Sequence, residues 1–353
     1  MAPVSSPRQL ADAHRRAQVA LASRAAGRVM SDWQRMIQPR RIEETAPQWM
    51  DASLGVITAS RARSRDLAAS YLRLHRALNT DTTLPPYASA PVAEVTTLGR
   101  LRRDFASRAQ IHLPSAGDDG RAVVIEDDYA WPDEDQEAFA AAARTSLAVT
   151  GPVHARRRLA DAEGAAGRGR LDDTDFLAEL DTVMRDAGAS AAAAADREVL
   201  RGGRDLLHRA SSADPRVVGW VRVTSADPCA WCAMLASRGA VYRSRDAAQL
   251  KGHAGRNVPP VDPEDLEKYH NQCHCQVVPI YLRTAWISEQ GRAFRELWDE
   301  ATDGHTGRDA INAYRRVIDA RRRRARSRGA LPAQADGPLF TNHPPRRDQG
   351  SGT

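Results

Sequence analysis

The four cysteines of the chain lie in two clusters, and this arrangement limits the fold more than any other feature of the sequence. Cys229 and Cys232 stand in the stretch DPCAWC, whereas Cys273 and Cys275 stand in YHNQCHC. Two cysteines separated by two residues can present both thiolates to one metal ion, and zinc takes four ligands in a tetrahedron. The clusters therefore predict that one ion ties together two segments that lie far apart in the chain.

The second half of such a zinc site can be built in two ways. Its donors come from the downstream cluster, which contains His270, Cys273, His274 and Cys275. His270 and Cys273 are separated by two residues and can form a turn like the upstream one. Cys273 and Cys275 are the alternative pair, because residues two apart in an extended segment point the same way, and His274 would then point away. The sequence does not choose between these sets, but the upstream pair and Cys273 belong to both.

A zinc ion held by four protein ligands is structural, because no position remains for water or substrate. Its binding free energy would add to folding and would staple the long loop between the clusters. Two other interpretations stay open. The cysteines can be packed thiols that behave as small hydrophobic side chains, or they can form one or two disulfides after assembly outside the cell.

Composition indicates a helical protein made in a reducing compartment. Hydrophobic residues make up 42% of the chain but aromatic residues only 5%, so the core must rely on Ala, Leu and Val, and alanine favours helix. The N-terminus lacks the apolar segment of a signal peptide, and no apolar run approaches the roughly 20 residues that span a bilayer. We therefore expect no membrane contact and a cytoplasm in which clustered cysteines are typical metal ligands.

The net charge of +6, carried almost entirely by arginine, allows a weak DNA contact without requiring one. The run Arg321–Arg324 can touch DNA phosphates, although a solvated helix end explains the same residues. His253 lies in the loop between the cysteine clusters and could serve as the base of a zinc-containing nuclease. No ββα-metal pattern accompanies it, so a nuclease or a DNA-binding module is the alternative interpretation.

Apolar spacings of three and four residues predict two long N-terminal helices. The first runs from Leu10 to Ile37, and the second from about Gln48 to Leu78. A short loop between them would make an antiparallel hairpin. The second helix also carries a set of arginines that we expect to form a solvated face: Arg61, Arg63, Arg65 and Arg73.

Two β-strands are predicted next to the cysteine clusters. Val217, Val218, Val221 and Val223 precede the first cluster, and the run QVVPIYL follows the second. The predicted fold is therefore mainly α, with a small α+β zinc-knuckle-like module in the C-terminal half. The regions are an N-terminal helical region (1–115), a second helical region (116–210), the Cys/His-clustered α+β module (211–285), C-terminal helices (286–330) and a disordered tail (331–353).

The stretch from residue 215 to about residue 282 resembles the C-terminal domain of phage Mu F-like minor head proteins. That family shows a CxxC turn, a loop, and then an H-x-x-C-x-C segment followed by a hydrophobic strand with Pro. Those positions in this sequence are Cys229, Cys232, His270, Cys273 and Cys275. The helical front half and the arginine-rich style are similar to the version found in phages and prophages of actinobacteria. One departure is Asn271, where the family often has Pro.

The resemblance implies a structural role with no enzymatic activity. Mu F-like proteins are minor capsid components that assemble in the host bacterial cytoplasm and end in the virion. They are associated with the portal protein and with other capsid or scaffold proteins, and they assist head morphogenesis and DNA packaging or ejection. We therefore expect those partners and a structural zinc ion for this chain.

Overall fold

The computed structural model of the chain describes residues 6–87, 94–112, 119–168, 173–225, 227–242, 273–282 and 288–327. The helices are α1 (Pro7–Met36), α2 (Ile42–Thr80), α3 (Leu98–Ala109), α4 (Gln136–Thr150), α5 (Pro152–Ala166), α6 (Asp173–Ala213), α7 (Ala230–Ser237), α8 (Glu289–Ala301) and α9 (Gly307–Ser327). The strands are β1 (Thr82–Thr83), β2 (Val95–Thr97), β3 (Ala122–Ile125), β4 (Gly219–Val223), β5 (Ala240–Tyr242) and β6 (Gln276–Ile280). The prediction of a mainly helical chain with small sheets is confirmed.

Three long helices, α1, α2 and α6, form the body of the protein. The hydroxyl of Ser6 accepts a hydrogen bond from the Gln9 backbone N–H, and Oε1 of Gln9 accepts one from the Ser6 backbone N–H, so a capping box starts α1. A 3-10 turn, Pro39–Arg41, then reverses the chain into α2, as the predicted hairpin requires. Helix α6 lies along both partners. None of the helices in the described ranges combines the length and the apolar character that a membrane span requires.

Close approach of α6 to α1 and α2 depends on glycine. A Cβ atom on Gly203 would lie 2.6 Å from Nε2 of Gln18 and 2.7 Å from Oγ of Ser64, which are both buried. We expect Gly203→Ala to lower the free energy of unfolding by about 2 kcal/mol, because overpacking forces neighbours from their positions. Gly55→Ala on α2 is the matched control, since its Cβ would meet nothing within 4 Å.

Denaturant titration of both glycine variants tests this helix contact. The control should gain up to about 1 kcal/mol from helix propensity alone. A Gly203→Ala protein as stable as the Gly55→Ala protein would show that α6 does not approach the other two helices this closely.

The expectation that the arginines of α2 form a solvated face is wrong for three of the four. Arg63 is exposed, but Arg61, Arg65 and Arg73 are at least nine-tenths buried. Arg61 and Arg65 both pair with Glu134, at 2.7 and 3.3 Å. Their partners come from distant parts of the chain, so a helical pattern of charge alone could not reveal them.

Arg76, one turn beyond Arg73 on α2, makes the most deeply buried ion pair of this set. Its Nε lies 2.8 Å from Oδ2 of Asp214, and both side chains are fully buried. The same guanidinium also pairs with Glu126 and donates to Thr82. Loss of one partner would strand a buried charge, which is strongly destabilising. This pair ties the end of α6 to α2 and to the first small sheet.

Each half of the chain contributes one three-stranded sheet. The first has the order β1-β3-β2, and the second has the order β5-β4-β6 with antiparallel pairing throughout. In the second sheet Trp220 lies opposite Pro279 and Val223 lies opposite Gln276. Pro279 is tolerated because β6 is an edge strand. The predicted strands on either side of the cysteine clusters are thus confirmed and pair with each other.

The last two helices pack on α7. Trp298 of α8 and Tyr314 of α9 are buried against each other with ring centroids 4.9 Å apart. The guanidinium of Arg238 at the end of α7 lies 4.5 Å from the centroid of Trp298. The division of the chain into five regions stays a prediction, and its predicted tail, 331–353, lies outside the described residues.

Candidate metal site

The pairing of β4 with β6 brings the two cysteine clusters together. Cys229 occupies the N-cap position of α7, and its Sγ accepts a hydrogen bond from the Cys232 backbone N–H at 3.4 Å. Cys273 and Cys275 lie on the short segment that leads into β6. Because the end of β4 faces the beginning of β6, the α7 turn and this segment meet at one edge of the sheet.

The sulfur atoms are spaced as metal ligands require. Sγ of Cys232 lies 3.5 Å from Sγ of Cys273, and these two atoms and Sγ of Cys275 all lie within 4.8 Å of one another. A tetrahedron with zinc–sulfur bonds of about 2.3 Å has edges of about 3.8 Å. A disulfide bond would need about 2.05 Å, and none of the four cysteines forms one. Cys229 packs against these three residues, but its Sγ does not lie within 4.8 Å of all three sulfurs.

All four sulfur-bearing residues are shielded from solvent, and Trp231 packs against them. Cys232 has no exposed surface, and the exposed fraction of Cys229, the largest of the four, is 8%. Small hydrophobic side chains would be equally buried, but hydrophobic packing does not require three sulfurs to lie within 4.8 Å of one another. Three buried sulfurs with the Cys229 side chain beside them fit the donor type of a structural zinc site.

Two arginines supply positive charge beside the sulfurs. Hydrogen bonds from the Cys232 and Cys275 thiols lower the pKa of Cys273, burial opposes this, and the charges of Arg204 and Arg222 lower it further. Hydrogen bonds with the other three cysteines raise the pKa of Cys232. The site thus prepares Cys273 as its first thiolate. A bound ion would stabilise the remaining thiolates, because metal binding releases their protons.

The segment that carries Cys273 and Cys275 is held by the helical body. Arg204 of α6 donates to the carbonyl oxygens of Cys273 and Cys275, the latter at 2.8 Å. His274 turns the other way, with Nε2 3.2 Å from Oδ2 of Asp196 on α6. Sequence reasoning missed Arg204 and Asp196 because they precede this segment by about 70 residues or more. Neither residue carries a local signal that could have identified it.

Of the five predicted ligands, the structure brings the sulfurs of three, Cys232, Cys273 and Cys275, within 4.8 Å of one another, and Cys229 packs beside them. The side chains of Cys273 and Cys275 face the cluster while His274 faces α6, which is the alternation expected of an extended segment. Cys275 therefore occupies a ligand position of this cluster. His270 lies outside the described residues, and metal binding itself stays a prediction.

Of the other candidate residues, His253 also lies outside the described part of the chain. The arginine run of α9 divides into two kinds of residue. Arg322 pairs with Asp227 at 3.2 Å and so ties α9 to the segment before α7. Arg321, Arg323 and Arg324 are exposed.

Comparison with known proteins links this chain to phage proteins. A family model described as VG15 protein matches residues 136–301, which include both cysteine clusters. The chain is 36% identical to the Gene 15 protein of Mycobacterium phage L5, over 33% of this chain and 49% of that protein. It is 33% identical to the Gene 15 protein of Mycobacterium phage D29, over 35% of this chain and 56% of that protein.

The chain spans about half the length of the curated relatives it matches. No solved structure matches it. The matches support a phage protein, and the matched stretch runs from α4 to α8 and contains the whole candidate metal site.

Proposed function

We propose that this chain is a structural, non-enzymatic component of a tailed-phage head, a Mu F-like minor capsid protein that contacts the portal protein. The observation that carries the proposal is an overlap. The stretch that matches phage proteins is the same stretch in which the cysteine cluster joins α7 to β6. The family resemblance of that motif supplies the assembly role, the portal and scaffold partners, and the location in the virion.

The architecture suits such a role. The sheet β5-β4-β6 packs through Val221, Val278 and Ile280 onto the same core as α1 and α2, so the cysteine module is continuous with the helical body. A zinc ion bound by Cys229, Cys232, Cys273 and Cys275 would act as a structural tie. The combined unit would present a rigid surface to a partner, since little ordering entropy remains to be lost on binding.

The proposal is tested by co-expressing the tagged full-length chain with the portal protein of the same phage genome. We expect the portal protein to co-purify, and mass spectrometry of purified particles to find this chain in few copies. A tagged scaffold or major capsid protein in the same experiment separates specific binding from general aggregation. Absence from both the particles and the portal complex would contradict the proposal.

A DNA cleavage assay distinguishes the structural proposal from the nuclease alternative. The purified chain is incubated with plasmid DNA and a divalent metal ion, beside a His253→Ala variant. We expect no cleavage by either protein. Cleavage by the unmodified chain that disappears in the variant would replace the structural proposal by the nuclease alternative.

A further inference from the structure

A cleft of about 460 Å³ opens between α2 and α3, and none of the four cysteines lines it. Its walls come from these helices, from the segment after β1 and from the first sheet. By contrast, two cavities bordered by α6 and β6 measure about 10 and 30 Å³ and have space for little more than a water molecule. The α2–α3 cleft falls within the usual size range of ligand sites.

The cleft carries more positive than negative charge. Its lining contains four arginines and two aspartates: Arg73, Arg100, Arg103, Arg108, Asp66 and Asp104. Asp104 is shared, since it pairs with Arg108 and lies 3.7 Å from Nη1 of Arg73. Two carboxylates therefore face four guanidinium groups, and an anionic ligand would restore the balance.

Arg73 is the buried member of this group. Only 9% of its surface is exposed. Its Nε donates to the carbonyl oxygen of Leu84 at 3.0 Å, which orients the guanidinium. Burial lowers the pKa of Arg73, and the nearby charges of Arg108 and Arg100 act in the same direction, against Asp104. A cation held under these conditions gains most from a second anionic partner.

The rest of the lining is not polar. Tyr87, Val95, Leu101 and Ile125 contribute apolar surface, and half of Val95 is exposed. The Tyr87 ring stands edge-on to Trp131 with centroids 5.3 Å apart, and its hydroxyl accepts from Arg65 at 3.0 Å. These contacts fix the ring at the cleft wall. A ligand with an anionic group and a flat or apolar part would match this lining better than a bare anion.

We propose that the α2–α3 cleft binds the phosphate of a nucleotide unit, with Arg73, Arg100 and Arg103 around the phosphate and the Tyr87 side of the wall against the sugar or base. Guanidinium groups bind phosphate through paired hydrogen bonds, and aromatic side chains accept bases of any sequence. The unit comes either from a free nucleotide or from a single strand of nucleic acid. Both sources share this chemistry.

The test uses a fluorescent oligothymidylate of about ten nucleotides, with thymidine monophosphate as competitor. The full-length chain is compared with an Arg100→Gln/Arg103→Gln variant, whose changes lie at the exposed rim and leave Arg73 in place. We expect binding to fall at least about tenfold, as loss of charge-assisted hydrogen bonds predicts. For a strand, the slope of log K against log salt should also shrink by about 1.4.

Two matched variants locate the binding. Arg63→Gln/Arg157→Gln removes the same charge at exposed positions on α2 and α5 and should change affinity little. Arg321→Gln/Arg323→Gln tests the exposed arginines of α9. Displacement of the oligonucleotide by the monophosphate identifies a single-nucleotide site, whereas binding of the strand alone identifies a strand site, and both support the proposal.

Three results would overturn this proposal. The first is no binding of either probe up to about 1 mM. The second is an equal loss of affinity in the Arg100/Arg103 and Arg63/Arg157 variants, or a loss only in the α9 variant. The third is binding of a hexaglutamate peptide in place of the nucleotides, which would make the cleft a site for acidic protein segments.

Discussion

Cys273→Ser is expected to abolish stoichiometric zinc binding and to lower the free energy of unfolding by about 4 kcal/mol, the contribution of a ligand present at about a thousand times its dissociation constant. The Cys273 sulfur lies 3.5 Å from that of Cys232, and hydrogen bonds from the Cys232 and Cys275 thiols lower the pKa of Cys273. Serine keeps the shape but removes the soft ligand. The measurements are metal content per chain and chemical denaturation under reducing conditions, with and without a chelator.

Val278→Thr is the matched control for the cysteine variant. Val278 lies in β6, is 1% exposed and packs in the main core. A buried hydroxyl there should destabilise the same sheet by about 1–3 kcal/mol, yet the variant should retain its metal. A chelator should therefore weaken Val278→Thr and the unmodified chain equally and leave Cys273→Ser unchanged. A metal-free unmodified chain that is fully folded in reducing buffer would refute the zinc site.

Acidification from pH 6.5 to about pH 4.5 is expected to remove about 4.5 kcal/mol of stability through two buried histidines. Burial, with a smaller effect of His75, lowers the pKa of His14 to about 3, and burial lowers the pKa of His75 to about 4. Both rings stay mostly neutral in the folded state over this range, whereas in the unfolded chain they take up protons as the pH falls through their ordinary pKa of 6.5. The unfolded state binds more protons, so stability falls as the pH falls.

These histidines lie in a column of stacked rings between α1, α2 and β6. The His14 ring stacks on Tyr71 at 4.2 Å, and Tyr71 is followed by His75 at 5.2 Å. Nε2 of His75 lies 2.9 Å from the carbonyl oxygen of Pro279, and Nε2 of His14 lies 3.0 Å from Gln18. A proton on either ring would place a positive charge among packed aromatic groups. None of the contacts just described supplies a carboxylate to balance it.

Denaturant titrations at several pH values separate the charge from the packing. A His14→Gln/His75→Gln variant should lose stability at neutral pH, but its stability should fall less steeply, by about 2 kcal/mol per pH unit on average in this window. The exposed His112→Gln protein is the control and should keep the slope of the unmodified chain. Equal slopes in all three proteins would mean that the two rings are not held neutral.

Local periodicity was a good guide to the secondary structure. The repeat of apolar residues at three and four positions predicted α1 and α2, although α2 begins earlier than its apolar stripe suggests. The β-branched residues beside the cysteine clusters predicted β4 and β6. The two-residue alternation offered one of two ligand sets, the one in which Cys273 and Cys275 face one way and His274 the other, and the structure shows this orientation. Each of these patterns is set by backbone geometry within a few residues.

Local periodicity did not predict which arginines of α2 are buried. Arg61, Arg65 and Arg73 lie on the same helix as the exposed Arg63, and their identity and spacing do not distinguish them. What distinguishes them is a carboxylate beside each guanidinium group: Glu134 pairs with Arg61 and Arg65, and Asp104 lies beside Arg73. Both carboxylates belong to segments that follow β1 in the chain. The α2–α3 cleft has the same origin, since its walls meet only when the chain is folded.

The sequence by itself determined the helices, the strands beside the cysteines, and the chemical type of the candidate metal site, because residue type and spacing act over one or two turns of chain. Tertiary structure alone decided that Cys275 faces the sulfurs of Cys232 and Cys273, that Arg204 holds the Cys275 segment against α6, and that Arg61, Arg65 and Arg73 are buried. These outcomes depend on contacts such as Arg204–Cys275 and Arg61–Glu134, whose partners are more than 70 residues apart in the chain. Burial and ion pairing are set by these tertiary contacts, so no local sequence pattern encodes them.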